Sequence, residues 1–565
     1  MTHCRPATAL GLSTLLVLSA GPSIGQPAAR PRKAWPPIRP EATNFAETSR
    51  YDDVVDYMKA MARTSPRIHL TSFGYSYEGR SLPLAVVGAK DATAASVLET
   101  AKTRVLLLAN IHAGEVEGKE ALLSLLRSIA KGERDAWFRD VVLLIAPIYN
   151  ADGNERVNVA NRGAQHGPVG GMGTRQNAQG LNINRDGMKM ETAEARSLAH
   201  LLKDYDPHVN VDLHTTNGSD HGYYLTYEAP GNPNTSPGIT RLLREELFPA
   251  VTRAVKAKHG WDFFYYGGAS SRGGERAWYG DLDLYKPRYT HTYFGLRNRI
   301  GILSETYSYA TFEDRIKASY RFVEEIVNFA AQNGSSIRKA TAAADAESIV
   351  GVPQAVRGKL VRASDAVPIV LANTVEEINP FVPDRPMRRR RNGSERVETM
   401  PHFGLIEPTE TSLAPAAFVI PAPIPGSLPA PAGPPFGPTR DPATRVMASV
   451  IDRLEVHGVR YFKTSSETTV RAERFRIESS KAEERDFEGH KLRTLTGSWE
   501  DAGQTVGAGS LVIPMDQPLA RLAFLLLDPR SDDGLMAWNI LDPVLTRNPG
   551  PEFYPVLRTM AAVPR

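Results

Sequence analysis

Between residues 51 and 333 the chain alternates short, mostly apolar runs with longer amphipathic ones, and nothing else narrows its fold as much. Residues 104–110 (RVLLLAN), 141–147 (VVLLIAP), 208–213 (HVNVDL) and 299–303 (RIGIL) have the length and continuity of strands covered on both faces. Residues 116–130, 191–203, 239–258 and 312–331 carry helical spacing between and after them. Strands without a polar face, separated by helices, predict an α/β fold with a mostly parallel sheet and helices on both faces. Ligands of such sheets gather outside the carboxyl ends of the strands, so chemistry is expected there.

After Asn333 the pattern changes. Residues 340–413 are mixed, with short β-like pieces such as 367–371, and residues 414–440 are rich in Pro and Ala. Beyond them, 446–456 reads as a helix, and 468–475 and 511–516 read as strands. The expected organisation is a main α/β domain over 45–335, an accessory region over 340–413, a Pro-rich linker over 414–440, and a β-rich C-terminal domain over 441–565. The four arginines at 388–391 read as a solvated loop rather than a polyanion contact. Hydrophobic residues at 42% of the 565 suit a folded chain. A formal net charge of +4 gives no field that would select nucleic acid.

The first 25 residues stand apart. An apolar run over 7–20 is followed by small residues, with a cut expected near Gly25 or Ala28. This run is short for a bilayer span but suits a signal-peptide core, so the expectation is a secreted or periplasmic protein with no stable membrane insertion after cleavage. Cys4, the only cysteine, precedes that run. Any metal must then be held by His and carboxylate groups.

Those groups fall at strand ends. The first buried run leads into Asn110-Ile111-His112-Ala113-Gly114-Glu115, and another ends in Asp212-Leu213-His214. Either histidine alone reads as an ordinary buried one. Together they offer two imidazoles and a carboxylate, an open ligand set used by catalytic zinc, with Asp212 as a partner behind His214. The polar stretch 173–185 brings Arg175 and Arg185, whose guanidinium forks suit a carboxylate or a developing oxyanion. Glu305 ends the last apolar run, where one-sided desolvation would favour general-base use.

In this order the motifs resemble the M14 family of zinc carboxypeptidases over residues 51–333, with an appended C-terminal region. Ser76-Tyr77-Glu78-Gly79-Arg80 resembles the strand-turn element near the family's start. The resemblance implies a mixed eight-stranded sheet, one Zn2+ per chain on His112, Glu115 and His214, and a peptide or peptide-like substrate. It further implies that Glu305 activates the zinc-bound water, that Arg175 stabilises the oxyanion, and that Asn184 and Arg185 hold the substrate's terminal carboxylate. Of Tyr285, Tyr289 and Tyr293, it points to Tyr293 as the mobile active-site tyrosine. Two departures stand out. Asn182 replaces the family's usual Asp, leaving a neutral amide where a carboxylate would support the first histidine. Asp186 replaces the usual Asn, putting a negative charge near the expected carboxylate pocket. Those two changes keep open a zinc amidase acting on peptidoglycan peptides or acyl-amino acids. A catalytically dead binding protein is disfavoured by the intact His112, Glu115, His214 and Glu305. No nucleophile-elbow serine lies outside the leader, and no H-E-x-x-H motif is present.

Overall fold

The computed structural model describes residue 1 and residues 35–271, 274–422, 424, 442–546 and 550–563; the leader and most of the Pro-rich stretch lie outside the described residues. Eight strands form the main sheet: β1 (Ile68–Tyr75), β2 (Ser81–Val87), β3 (Thr103–Ala109), β4 (Val141–Ala146), β5 (Val209–Thr215), β6 (Leu225–Glu228), β7 (Phe263–Tyr265) and β8 (Ile300–Thr306). Their order is β1-β2-β4-β3-β5-β8-β6-β7. The β3–β4, β3–β5, β5–β8 and β6–β7 pairs are parallel, while β1–β2, β2–β4 and β6–β8 are antiparallel, so the sheet is mixed and mostly parallel.

Every residue of β4 and β5 is buried, as is nearly all of β3, which is why these runs carry no polar alternation. Each Leu, Ile or Val so covered contributes about 1.5–3 kcal/mol. Helices Glu117–Ala130 and Phe312–Ala346 pack on one another and on β3, with Tyr51–Thr64 joining them. Ala193–Tyr205 lies against β1 and against helix Pro442–His457. Helix Phe312–Ala346 does not stop at the expected boundary near 335. It bends at Asn333, whose φ/ψ leave the helical region, and continues with Gly334 against Thr103 of β3. A Cβ at Gly334 would lie 2.5 Å from Thr103 Oγ1, so the bend is packed directly onto the sheet.

The C-terminal half is less separate than its composition suggests. Strands Pro353–Leu371 and Arg396–Leu413 form a long antiparallel pair, and the second also pairs with Ala277–Tyr279 from the main domain. The arginine run is not a solvated loop: Met387–Arg390 is a strand paired with Thr374–Glu377. Arg388, Arg389 and Arg390 each meet a carboxylate, on Asp220, Glu377 and Glu395. The expected linker also begins too early, because Ala417–Ile420 is a buried strand inside a six-stranded sheet. That sheet runs Phe462–Lys463, Leu511–Pro514, Ala417–Ile420, Leu557–Thr559, Thr468–Ala482, Arg493–Val506. Among the described residues no helix is long and apolar enough to cross a membrane.

Candidate metal centre

The ligands arrive from two parallel strands and a turn. Chain direction and register place Ala109 of β3 opposite Leu213 of β5, so both strands end at the same edge. Asn110 then turns the chain with φ 66°, a left-handed conformation that asparagine tolerates better than most residues. His112 follows, Glu115 stands one turn later, and helix Glu117–Ala130 begins. Ala113 N donates to Thr174 O at 3.0 Å, pinning this turn to the loop that carries Arg175.

His112 Nδ1 lies 3.0 Å from Glu115 Oε1, and His214 Nδ1 lies 2.9 Å from Glu115 Oε2. The three ligand atoms sit within 4.8 Å of one another, all on buried residues. Behind them, His112 Nε2 faces Asn182 Oδ1 at 3.1 Å and His214 Nε2 faces Asp212 at 2.9 Å. Acceptors behind both Nε2 atoms favour a proton there, and each ring turns its Nδ1 inward to Glu115, the nitrogen a metal would use. Burial holds His112 down to about 3, hence neutral. Burial opposes charge on His214 as well, yet Asp212 and Glu115 together lift it well above the usual range. Glu115 resists burial through His112, Arg162 and His214 and stays well below the ordinary carboxylate range. Two convergent imidazole nitrogens and an ionised carboxylate, shielded from solvent and backed by hydrogen-bond acceptors, fit zinc.

The remaining groups surround this cluster. Parallel register sets Glu305 directly opposite His214, so both side chains leave the same face. Glu305 Oε2 is buried without a hydrogen-bond partner. Burial pushes this carboxyl up to about 8, against His214 and with Glu115. Arg175 Nη1 reaches within 3.2 Å of His112 Nδ1 and 3.7 Å of Glu115 Oε1. Asn184 Oδ1 accepts from Thr290 N and Oγ1 at 2.9 and 3.0 Å, and its Nδ2 lies 3.5 Å from His214 Nε2. Arg185 stacks on Tyr289 with 3.9 Å to the ring centroid and donates to Asn184 O at 2.8 Å. Among the described residues it forms no ion pair with a carboxylate.

Two sequence expectations fail here. Tyr293 is not brought to the cluster: it is fully buried, with its hydroxyl 2.9 Å from His457 Nδ1 and receiving a bond from Arg297 at 3.1 Å. Helix Thr290–Leu296 carries it inward, towards the helix Pro442–His457 that supplies His457. The tyrosine beside Arg185 is Tyr289. Nor does Asp186 charge the carboxylate pocket. Its oxygens accept from Glu191 N, Thr192 N and Thr192 Oγ1, and Lys189 Nζ lies 2.9 Å away, all in a buried knot.

Sequence reasoning missed Arg162 and Glu117. Arg162 donates to Glu115 Oε1 at 2.8 Å and to the carbonyls of Thr215 and Thr216. It passes over Gly114, where a Cβ would come 2.8 Å from Arg162 Cδ, so the glycine between the two ligands was the one available signal. Glu117 accepts from Thr215 Oγ1 and from Thr306 Oγ1, each one residue past His214 or Glu305, and pairs with Arg315 at 3.3 Å. Spacing alone gave no sign of that.

The zinc carboxypeptidase family model matches residues 54–217, a stretch that contains His112, Glu115 and His214. This part of the chain is an M14 zinc carboxypeptidase domain. Carboxypeptidase 2 of Trichophyton rubrum is 23% identical over 527 residues, covering 89% of this chain and 86% of its own length. The alignment therefore extends beyond the carboxypeptidase domain into the C-terminal half. Two solved structures are similar over about half of this chain. A metallo-carboxypeptidase from Burkholderia cenocepacia (17% identity, TM-score 0.38) covers 50% of this chain and 70% of its own. Carboxypeptidase A from Helicoverpa armigera (16%, TM-score 0.38) covers 54% and 76%.

Proposed function

We propose that this zinc metallocarboxypeptidase removes single residues from peptide C-termini, with His112, Glu115 and His214 holding one zinc ion. The observation that carries the reading is the unpartnered, buried Oε2 of Glu305 standing in register with a metal ligand. Zinc, when bound, supplies Lewis-acid chemistry at that point. Glu305 takes a proton from the attacking water and delivers it to the departing amine, a role that its raised pKa suits. Arg175, with about a third of its side chain exposed, donates to the carbonyl oxygen as negative charge develops. Arg185, half-buried and in no ion pair among the described residues, holds the substrate's terminal carboxylate with help from the Asn184 amide. Tyr289, stacked under Arg185, takes the place expected of Tyr293. A cleft of about 410 Å³ lined by Thr216, Ser219, Tyr266, Tyr279 and Asp281 opens beside β5 and gives the departing side chain room.

The apolar leader supports export to the periplasm or medium, which N-terminal sequencing of the mature protein checks. The catalytic reading is tested by mass spectrometry of a mixed peptide pool incubated with the protein, with and without chelator. Stepwise loss of C-terminal residues that chelator stops is the expected result. Internal cuts, or inactivity on peptides with turnover of cell-wall fragments, would replace the carboxypeptidase reading with an amidase.

A further inference from the structure

The hairpin Thr468–Ala482/Arg493–Val506 of the six-stranded sheet reaches back to the metal centre. Its strands pair as far as Ala482 and Arg493, and the chain beyond them, 483–492, forms the tip. Phe487 and His490 exchange both backbone hydrogen bonds, at 2.8 and 3.1 Å, across Glu488 and Gly489. Those two central residues have φ of 51° and 81°, the pattern of a type I′ turn. Glycine is at home there; glutamate is not, since its Cβ is crowded in left-handed backbone. Asn, Asp or Gly would form this turn more readily, so a glutamate at 488 answers to something besides the turn.

Its carboxylate has a target. Glu488 Oε2 accepts from Asn182 N at 2.7 Å, across a sequence separation of 306 residues. Asn182 is the residue whose Oδ1 accepts both from His112 Nε2 at 3.1 Å and from Asn184 N at 3.0 Å. Two contacts hold the tip in place. Phe487 stacks on Trp538 and lies under the Arg288 guanidinium, which Asp533 holds at 2.7 Å. His490 Nε2 lies 2.9 Å from Glu191 Oε2, two residues before the helix Ala193–Tyr205.

We infer that Glu488 is a positioning residue of the metal centre: through the backbone of Asn182 it fixes the acceptor that orients His112. The C-terminal sheet is then part of the zinc site although it supplies no ligand. The inference rests on zinc being held by His112, Glu115 and His214. Asn182 begins the short turn Ile183–Arg185, so its backbone also sets where Asn184 and Arg185 stand.

The test is zinc affinity of the full-length protein, measured by competition with a chromophoric chelator, for wild type and for Glu488→Ala, Glu488→Gln and Glu484→Ala. Glu484 lies on the same tip, is exposed, and makes none of these contacts. Removing a partner that orients a ligand weakens metal binding about 10–100-fold, and one acting through a backbone amide should fall near the lower end, about tenfold. Glu488→Ala is expected to bind zinc about tenfold more weakly. Glu488→Gln, which keeps a carbonyl oxygen for Asn182 N, should stay near wild type, and Glu484→Ala should not change. Circular dichroism melting of each variant shows whether the chain is folded, and Glu488→Gln carries the argument if the alanine variant is not. Unchanged affinity in Glu488→Ala would overturn the inference. So would glutamine binding as weakly as alanine, or Glu484→Ala losing as much as Glu488→Ala. A wild-type protein that binds no zinc would instead remove the reading on which it rests.

Discussion

The two large sheets of this chain do opposite work. In the eight-stranded sheet the middle strands are covered on both faces, and the useful side chains sit at or just beyond their carboxyl ends, on His112, Glu115, His214 and Glu305. In the six-stranded sheet the longest strands, Thr468–Ala482 and Arg493–Val506, are mostly exposed or half-buried, and none of the metal ligands comes from them. The first sheet concentrates chemistry through register: two parallel neighbours in phase put a ligand and a base side by side. The second contributes through reach, because a long amphipathic hairpin can extend well past its own core. A region without catalytic groups can therefore still govern a catalytic centre.

The division of labour between the two sheets has measurable consequences. Stripping the metal, or replacing His214 by Ala, should abolish peptide hydrolysis by on the order of 10³-fold or more, and zinc should restore only the stripped wild type. Residual chelator-resistant turnover would mean that the eight-stranded sheet does not house the chemistry. Glu305→Gln should lower kcat by about 10²–10⁴-fold while the bound zinc, counted by atomic absorption, stays at wild-type level. Arg185→Ala should raise KM for peptides with a free C-terminus by about 10–100-fold, the scale of a charge-assisted hydrogen bond. C-terminally amidated peptides should show no such rise; an equal loss on both would take the carboxylate anchor away from Arg185. Gly114→Ala should push Arg162 off Glu115 and weaken zinc binding by about tenfold, read by chelator competition.

The smallest expected effect lies at the seam between the sheets. Burial resists ionisation of Glu191, but His490 and Lys189 hold it down to about 2 from an ordinary value of 4.5. A depressed carboxylate stabilises the fold above its unfolded pKa, and that contribution is lost as pH falls from about 4.5 towards 2. With this side chain 27% exposed, about 1–2 kcal/mol survives screening. Wild type should thus melt higher than Glu191→Gln at pH 6, and the two should converge near pH 2. A gap that persists there would show that the seam is held by something other than this carboxylate.

The sequence made the eight-stranded sheet legible where burial was complete. The cores of β3, β4, β5 and β8 stood out as apolar runs, whereas β1, an edge strand that is mostly half-buried, and the short strands β6 and β7 did not. His112, Glu115, His214 and Glu305 could be found because strand ends are predictable places. Tyr293 was misplaced because which way a short helix turns its side chains depends on what packs against it, here His457 from the far half of the chain. Arg162 and Glu488 were invisible for a related reason. Each acts through contacts made only after loops far apart in sequence have met, and local pattern carries no trace of that.

Strand Leu557–Thr559 sits between Ala417–Ile420 and Thr468–Ala482, so it is the one strand through which the hairpin bearing Glu488 joins the rest of its sheet. Arg558 bonds Glu473 at 2.6 Å and Thr559 Oγ1 bonds Arg471 O at 2.9 Å across that junction. A protease nick just ahead of residue 557, well beyond Glu488 in sequence, would part this strand from the segment Glu552–Tyr554, whose backbone also bonds Phe475 and Ile477 of the hairpin. The last stretch of the chain, far in sequence from the catalytic motifs, thus anchors the element that reaches back to them.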